Sequence, residues 1–157
     1  MASVRVFVAN RGNQFMGEIA AWIAEAAALT GRAVEVIDDA LPVADGSINL
    51  VVAPHEFFEL YPASPKELQR AAGASVCVNT EQPGTTWFRL AVDACRRGLL
   101  TLDISDQGAE GLRSAGITVE RLRLGGVPSM QMPISRATPR RLSWTRAVSP
   151  LALRSAD

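Results

Sequence analysis

The single histidine of the chain, His55, stands next to Glu56 in the run Pro54-His55-Glu56-Phe57-Phe58. An imidazole beside a carboxylate can take a proton from a hydroxyl near neutral pH. A second polar cluster, Asn79-Thr80-Glu81-Gln82-Pro83-Gly84, offers Glu81 as a base or as an acceptor of sugar hydroxyls, with Asn79, Thr80 and Gln82 as binding partners around it. A third stretch, Asn10-Arg11-Gly12-Asn13-Gln14-Phe15-Met16-Gly17, has glycines but not the GxGxxG spacing that lets backbone donors grip a pyrophosphate. A dinucleotide site is therefore not expected there, and Asn13 and Gln14 remain as contacts for a polar ligand. Asp103 lies inside an apolar run, whereas Ser105 and Asp106 have the residue types of helix caps.

Each of these segments also has a purely structural role open to it. The 10–17 stretch reads equally as a turn feeding a helix. His55 reads as a lone histidine bonded to a carbonyl, with Phe57 and Phe58 plugging the sheet edge, and Glu81 as a carboxylate at the positive end of a helix. HExxH, GxSxG and P-loop patterns do not occur, and a lone histidine without Cys or His companions makes a poor metal site. No metal and no cofactor is expected.

The elements that must position these residues follow from periodicity. Val4-Arg5-Val6-Phe7-Val8 is a β-branched run closed by a turn-prone Asn-Arg-Gly-Asn, hence a first strand. From Gly17, the positions Ile19, Trp22, Ile23, Ala26 and Ala27 recur at helical spacing, with Gly31 as a stop. Val34–Ile37 and Ile48–Ala53 predict strands two and three, the latter apolar enough to be buried on both faces. Ser64-Pro65-Lys66-Glu67 carries a capping box with proline at the first helical position, and Gly73 ends that helix. Ser75–Val78 predicts strand four. A stripe of Trp87, Leu90, Ala91, Ala94 and Cys95 then predicts a helix that turns these residues inward and stops at Gly98. Leu99–Ile104 predicts strand five, a short helix from Asp106 stops at Gly116, and Thr118–Leu122 predicts strand six.

Strands that alternate with helices imply right-handed crossovers, so the expected fold is α/β: a Rossmann-like parallel sheet of about six strands with helices on both faces. Ligands of such sheets bind outside the carboxyl ends of the strands, where all the polar clusters above lie. After Gly125 the periodicity ends. Residues 1–127 are expected to form the Rossmann-like domain and residues 128–157, with Pro128, Pro133, Pro139 and Pro150, a Pro/Arg-rich linker-like tail.

With 157 residues, 48% hydrophobic and 20% charged, the chain suits one folded domain. No apolar run is long enough to span a bilayer or serve as a signal segment, so a cytoplasmic location without a membrane span is expected. Cys77 and Cys95 form neither a CxxC pair nor a framework and read as small buried hydrophobes. Net charge is zero, which argues against a nucleic-acid partner. The distribution is uneven all the same, because residues 121–157 hold seven arginines against Asp157 alone, a balance of +6.

Ala53-Pro54-His55-Glu56-Phe57-Phe58, Val78-Asn79-Thr80-Glu81-Gln82, Asp103-Ile104-Ser105, Leu112, Gly116 and Leu122-Arg123-Leu124-Gly125-Gly126 together resemble the N-terminal half of GT-B glycosyltransferases, particularly bacterial ones similar to group 1 transferases. The resemblance covers about residues 4–128, with Asn-Thr-Glu-Gln its most specific part. It implies an acceptor-binding domain in which His55, Glu56, Glu81 and Gln82 line the acceptor side, with His55 or Glu81 as general base. The family's second, nucleotide-sugar-binding domain has no counterpart after Gly126, so the chain is expected to be inactive alone, whether as a truncated or frameshifted remnant, as one domain of a longer protein or as half of a two-chain enzyme. The expected partners are a sugar or other hydroxyl acceptor, a separate donor-binding domain, or a second copy held through Trp144, Val148 and Leu151 of the tail. The alternative is a non-catalytic α/β module for a small ligand or a protein partner.

Overall fold

The computed structural model describes residues 2–125 of the chain; the tail expected at 128–157 lies outside the described residues. Six strands and five helices run in the order β1 (Val4–Phe7), α1 (Gln14–Ala28), β2 (Val34–Ile37), β3 (Ile48–Val52), α2 (Pro54–Leu60), α3 (Pro65–Gly73), β4 (Val76–Asn79), α4 (Phe88–Cys95), β5 (Leu100–Asp103), α5 (Asp106–Ser114) and β6 (Val119–Arg121). The strands form one sheet in the order β2-β1-β3-β4-β5-β6, and every pairing is parallel. The α/β, Rossmann-like expectation is met.

Alternation along the strands sorts the core into two sides. Val6, Val52 and Val78 point to the side where Ile19, Ala20 and Ile23 of α1 pack. Their strand neighbours Phe7 and Val51 point to the other side, against Phe57 and Phe58 of α2, Ala71 and Ala72 of α3 and Ala94 of α4. Cys77 shares that second side with Val92, Ala109 and Leu112. Both cysteines are free and buried, and they pack there as small apolar residues. The Cys77 thiol is pushed up by its contact with Cys95 and by burial, which keeps it protonated.

The opposite placement of α1 and the later helices follows from handedness. The β1-α1-β2 crossover steps one way along the sheet, and those from β3 onward step the other way. Keeping both right-handed puts their helices on opposite faces. Between these two directions, at the carboxyl ends of β1 and β3, the connections diverge and leave a crevice. The β2–β3 loop that makes the change of direction is pinned by the Asn49 amide, which donates to the Val43 carbonyl at 2.8 Å, and by the Arg5–Asp45 ion pair at 2.6 Å.

Two segments depart most from the sequence reading, while several strand ends shift by one residue. Helix α1 begins at Gln14 rather than Gly17, because the Asn13 side chain accepts from the Phe15 N–H at 3.0 Å and caps the helix earlier. The Pro54–Leu60 segment, read as a polar stretch with two plugging phenylalanines, is the helix α2. It lacks the capping side chain that marks helix starts in sequence. Ala53, at φ 50° and ψ 63°, turns the chain from β3 straight into it. By contrast, the Ser64–Glu67 capping box at the start of α3 forms as expected.

Candidate functional site

The turn at Ala53 decides where His55 and Glu56 go. A non-glycine residue in the left-handed region is costly by about 1–2 kcal/mol. Ala53 is held there by its N–H, which donates to the Val78 carbonyl at 3.0 Å, and by its carbonyl, which accepts from Phe57 at 3.0 Å. The result is a sharp strand-to-helix corner at the sheet's carboxyl edge, with Pro54 at the first helical position and His55 and Glu56 immediately behind it.

His55 is 6% exposed and lines a cavity of about 280 Å³. Its Nε2 lies 3.6 Å from Oε1 of Glu81, whereas its Nδ1 has no hydrogen-bond partner. Burial lowers the imidazole pKa below the ordinary 6.5, and the carboxylates of Glu81 and Glu56 only partly offset this. At neutral pH the ring is therefore uncharged and able to accept a proton.

Glu81 is brought to the cavity by a buried polar network. The Asn79 side-chain amide donates to the Glu81 carbonyl at 2.9 Å, while its Oδ1 accepts from the Glu81 N–H at 3.2 Å. The same amide donates to Oδ2 of Asp103 at 2.6 Å, and Oδ1 of Asp103 accepts from the Ser105 N–H at 2.7 Å. Asn79 and Asp103 are both fully buried. Gly108 at the start of α5 faces the Asp103 carboxylate so closely that a Cβ would strike it. The Glu81 carboxylate itself accepts from the Thr85 hydroxyl at 2.6 Å.

Glu56 serves a different end. Its Oε1 accepts from the Asn13 N–H at 2.9 Å, directly at the start of α1. Gly12 makes this possible, since a Cβ at that position would collide with the Glu56 carboxylate. In dinucleotide-binding sheets the corresponding helix start receives a phosphate. Here the chain's own carboxylate occupies it.

Of the residues singled out from sequence, His55, Glu81, Glu56 and Asn13 line this one cavity. The other four do not. Gln14 is an exposed residue in the first turn of α1. Asn79 is consumed by the network that fixes Glu81. Gln82 donates to the Ser105 hydroxyl at 2.7 Å, and that hydroxyl in turn caps α5 by accepting from Gly108. The Thr80 hydroxyl is buried without a partner and does not line the cavity.

Sequence reading missed Met16, Glu59, Leu60 and Trp87, which complete the wall. Helical spacing places Trp87 in the apolar stripe of α4, yet it is 53% exposed. It precedes the first turn of α4, where the side chain is free of the helix's buried face. Its place in the connection from β4 to α4, the same connection that holds Glu81, was the available signal.

A second cavity, of about 270 Å³, lies beyond Leu60 and is lined by Arg11, Asp38, Asp39 and Tyr61 among others. Among the described residues no group of three or more His, Cys, Asp or Glu side chains is placed to hold a metal ion. No helix among them is long and apolar enough to cross a membrane. No family model, curated protein or solved structure matches the chain.

Proposed function

We propose that the chain is a glycosyltransferase-like acceptor domain that binds a sugar or other hydroxyl compound in the His55 cavity. The observation that carries this reading is the pairing of a buried, uncharged His55 with Glu81 at 3.6 Å at the carboxyl edge of a parallel sheet, in a cavity that the exposed Trp87 also lines. An aromatic face and carboxylate acceptors suit the alternating apolar and hydroxyl surfaces of a sugar. In the parent reaction the acceptor oxygen attacks the anomeric carbon of a nucleotide-sugar as the bond to the departing phosphate breaks. His55 takes the hydroxyl proton, and Glu81 stabilises the imidazolium that results.

The donor is not bound by this unit. The helix start that would receive its phosphates already holds the Glu56 carboxylate, and the donor belongs to a separate domain. Titration calorimetry tests both halves of the reading. Simple sugars should give saturable heats that His55→Ala and Trp87→Ala reduce, and UDP-glucose should give none. Micromolar binding of UDP-glucose would overturn the division of labour.

The filled helix start also favours a second reading, a non-catalytic module for a small polar ligand. That reading expects the unaltered chain to bind sugar without any transfer when a donor-binding partner is supplied.

A further inference from the structure

The charge of the His55 cavity narrows its ligand. Three of its eight lining residues are carboxylates, Glu56, Glu59 and Glu81, and none is Lys or Arg. Arginine ion pairs with Asp45, Asp93, Glu110 and Asp106 are made elsewhere. Glu56 is met by one backbone N–H and Glu81 by one hydroxyl and the imidazole. Glu59 is exposed on α2. The buried His55 lines the same cavity with its Nδ1 unpartnered, and with its pKa lowered by burial it adds no compensating cation.

We propose that the cavity selects a ligand carrying a protonated amine beside its hydroxyls, such as an amino sugar or another amino-polyol. This rests on the reading of the cavity as a hydroxyl-acceptor site and adds the charge of the acceptor to it. Three like charges around a cavity partly walled by Met16 and Leu60 focus a negative potential that attracts an ammonium group and repels phosphates. Trp87, 53% exposed at the cavity wall, presents an indole to which a cation is drawn.

The test is calorimetric titration of the full chain with glucose, glucosamine, N-acetylglucosamine and choline, at low and high salt. Glucosamine should bind roughly tenfold more tightly than glucose or the uncharged N-acetyl compound, as expected for exposed ion pairing reinforced by an aromatic face. The difference should shrink at about 0.5 M salt. Glu59→Gln should narrow it about threefold, while Glu110→Gln, remote on α5, should leave it unchanged. Equal affinity for glucose and glucosamine would overturn the charge selection and leave the hydroxyl-acceptor reading standing. Binding of choline without any sugar would sustain the cation site and remove the sugar reading. Absence of binding by all four would overturn both.

Discussion

His55 is held uncharged by its surroundings, and this has a thermodynamic signature. Burial lowers its pKa in the folded chain below the 6.5 of the unfolded one. The unfolded state therefore binds more protons in the interval between the two values, and stability must fall as pH drops below about 6.5 through that interval. Depressed carboxylates such as Asp45 and Glu67 lose their stabilising contribution only at lower pH, below the ordinary carboxylate range. Thermal unfolding between pH 7.5 and 5 should show a decline that His55→Gln flattens. A wild-type curve without slope in that window would contradict the buried neutral imidazole.

Asn79 carries a second expectation at this scale. Asn79→Ala strips the buried Asp103 carboxylate of one donor and frees the Glu81 backbone, so it should cost about 3 kcal/mol in denaturant unfolding. It should weaken ligand binding as well, although Asn79 does not line the cavity.

At the scale of elements, the corner between β3 and α2 makes the site. Ala53→Val places a β-branched side chain in the left-handed region at a fully buried position, and should destabilise the fold by about 2 kcal/mol or more. Ala53→Gly should be close to neutral, since relief of strain is offset by the entropy of the unfolded glycine. Equal losses in both variants would show that the methyl group's packing matters and the backbone conformation does not.

This corner also marks the limit of what was legible in the sequence. All six strands and helices α1, α3, α4 and α5 were readable from alternation, helical stripes and glycine stops, with α3 the clearest because its capping box is local. Helix α2 was not, because it spans seven residues and its start is fixed by a tertiary contact between Ala53 and β4 rather than by a cap. The strand-end rule found His55, Glu56, Glu81 and Asn13. It could not separate residues facing the cavity from residues such as Asn79 and Gln82, whose side chains turn inward to hold neighbouring segments, since that depends on which partner each amide meets across the sheet.

For the whole molecule, the strand order places the first and sixth strands in unequal positions. β1 pairs with β2 on one side and with β3 on the other, whereas among the described residues β6 pairs with β5 alone. Every connection is a crossover, so no strand can pair with its sequence neighbour through a tight hairpin. β1 must wait for Ile48–Val52 before its second flank is closed. Folding is therefore expected to be limited by contacts between distant segments and to be slow for a chain of this size. During synthesis β1 would stay unpaired on the flank that receives β3 until that strand emerges. A consequence is a polarity of tolerance along the chain. Losing the residues of β6 costs one edge ladder, while losing those of β1 splits the sheet in two and removes the strand on which the crevice is founded.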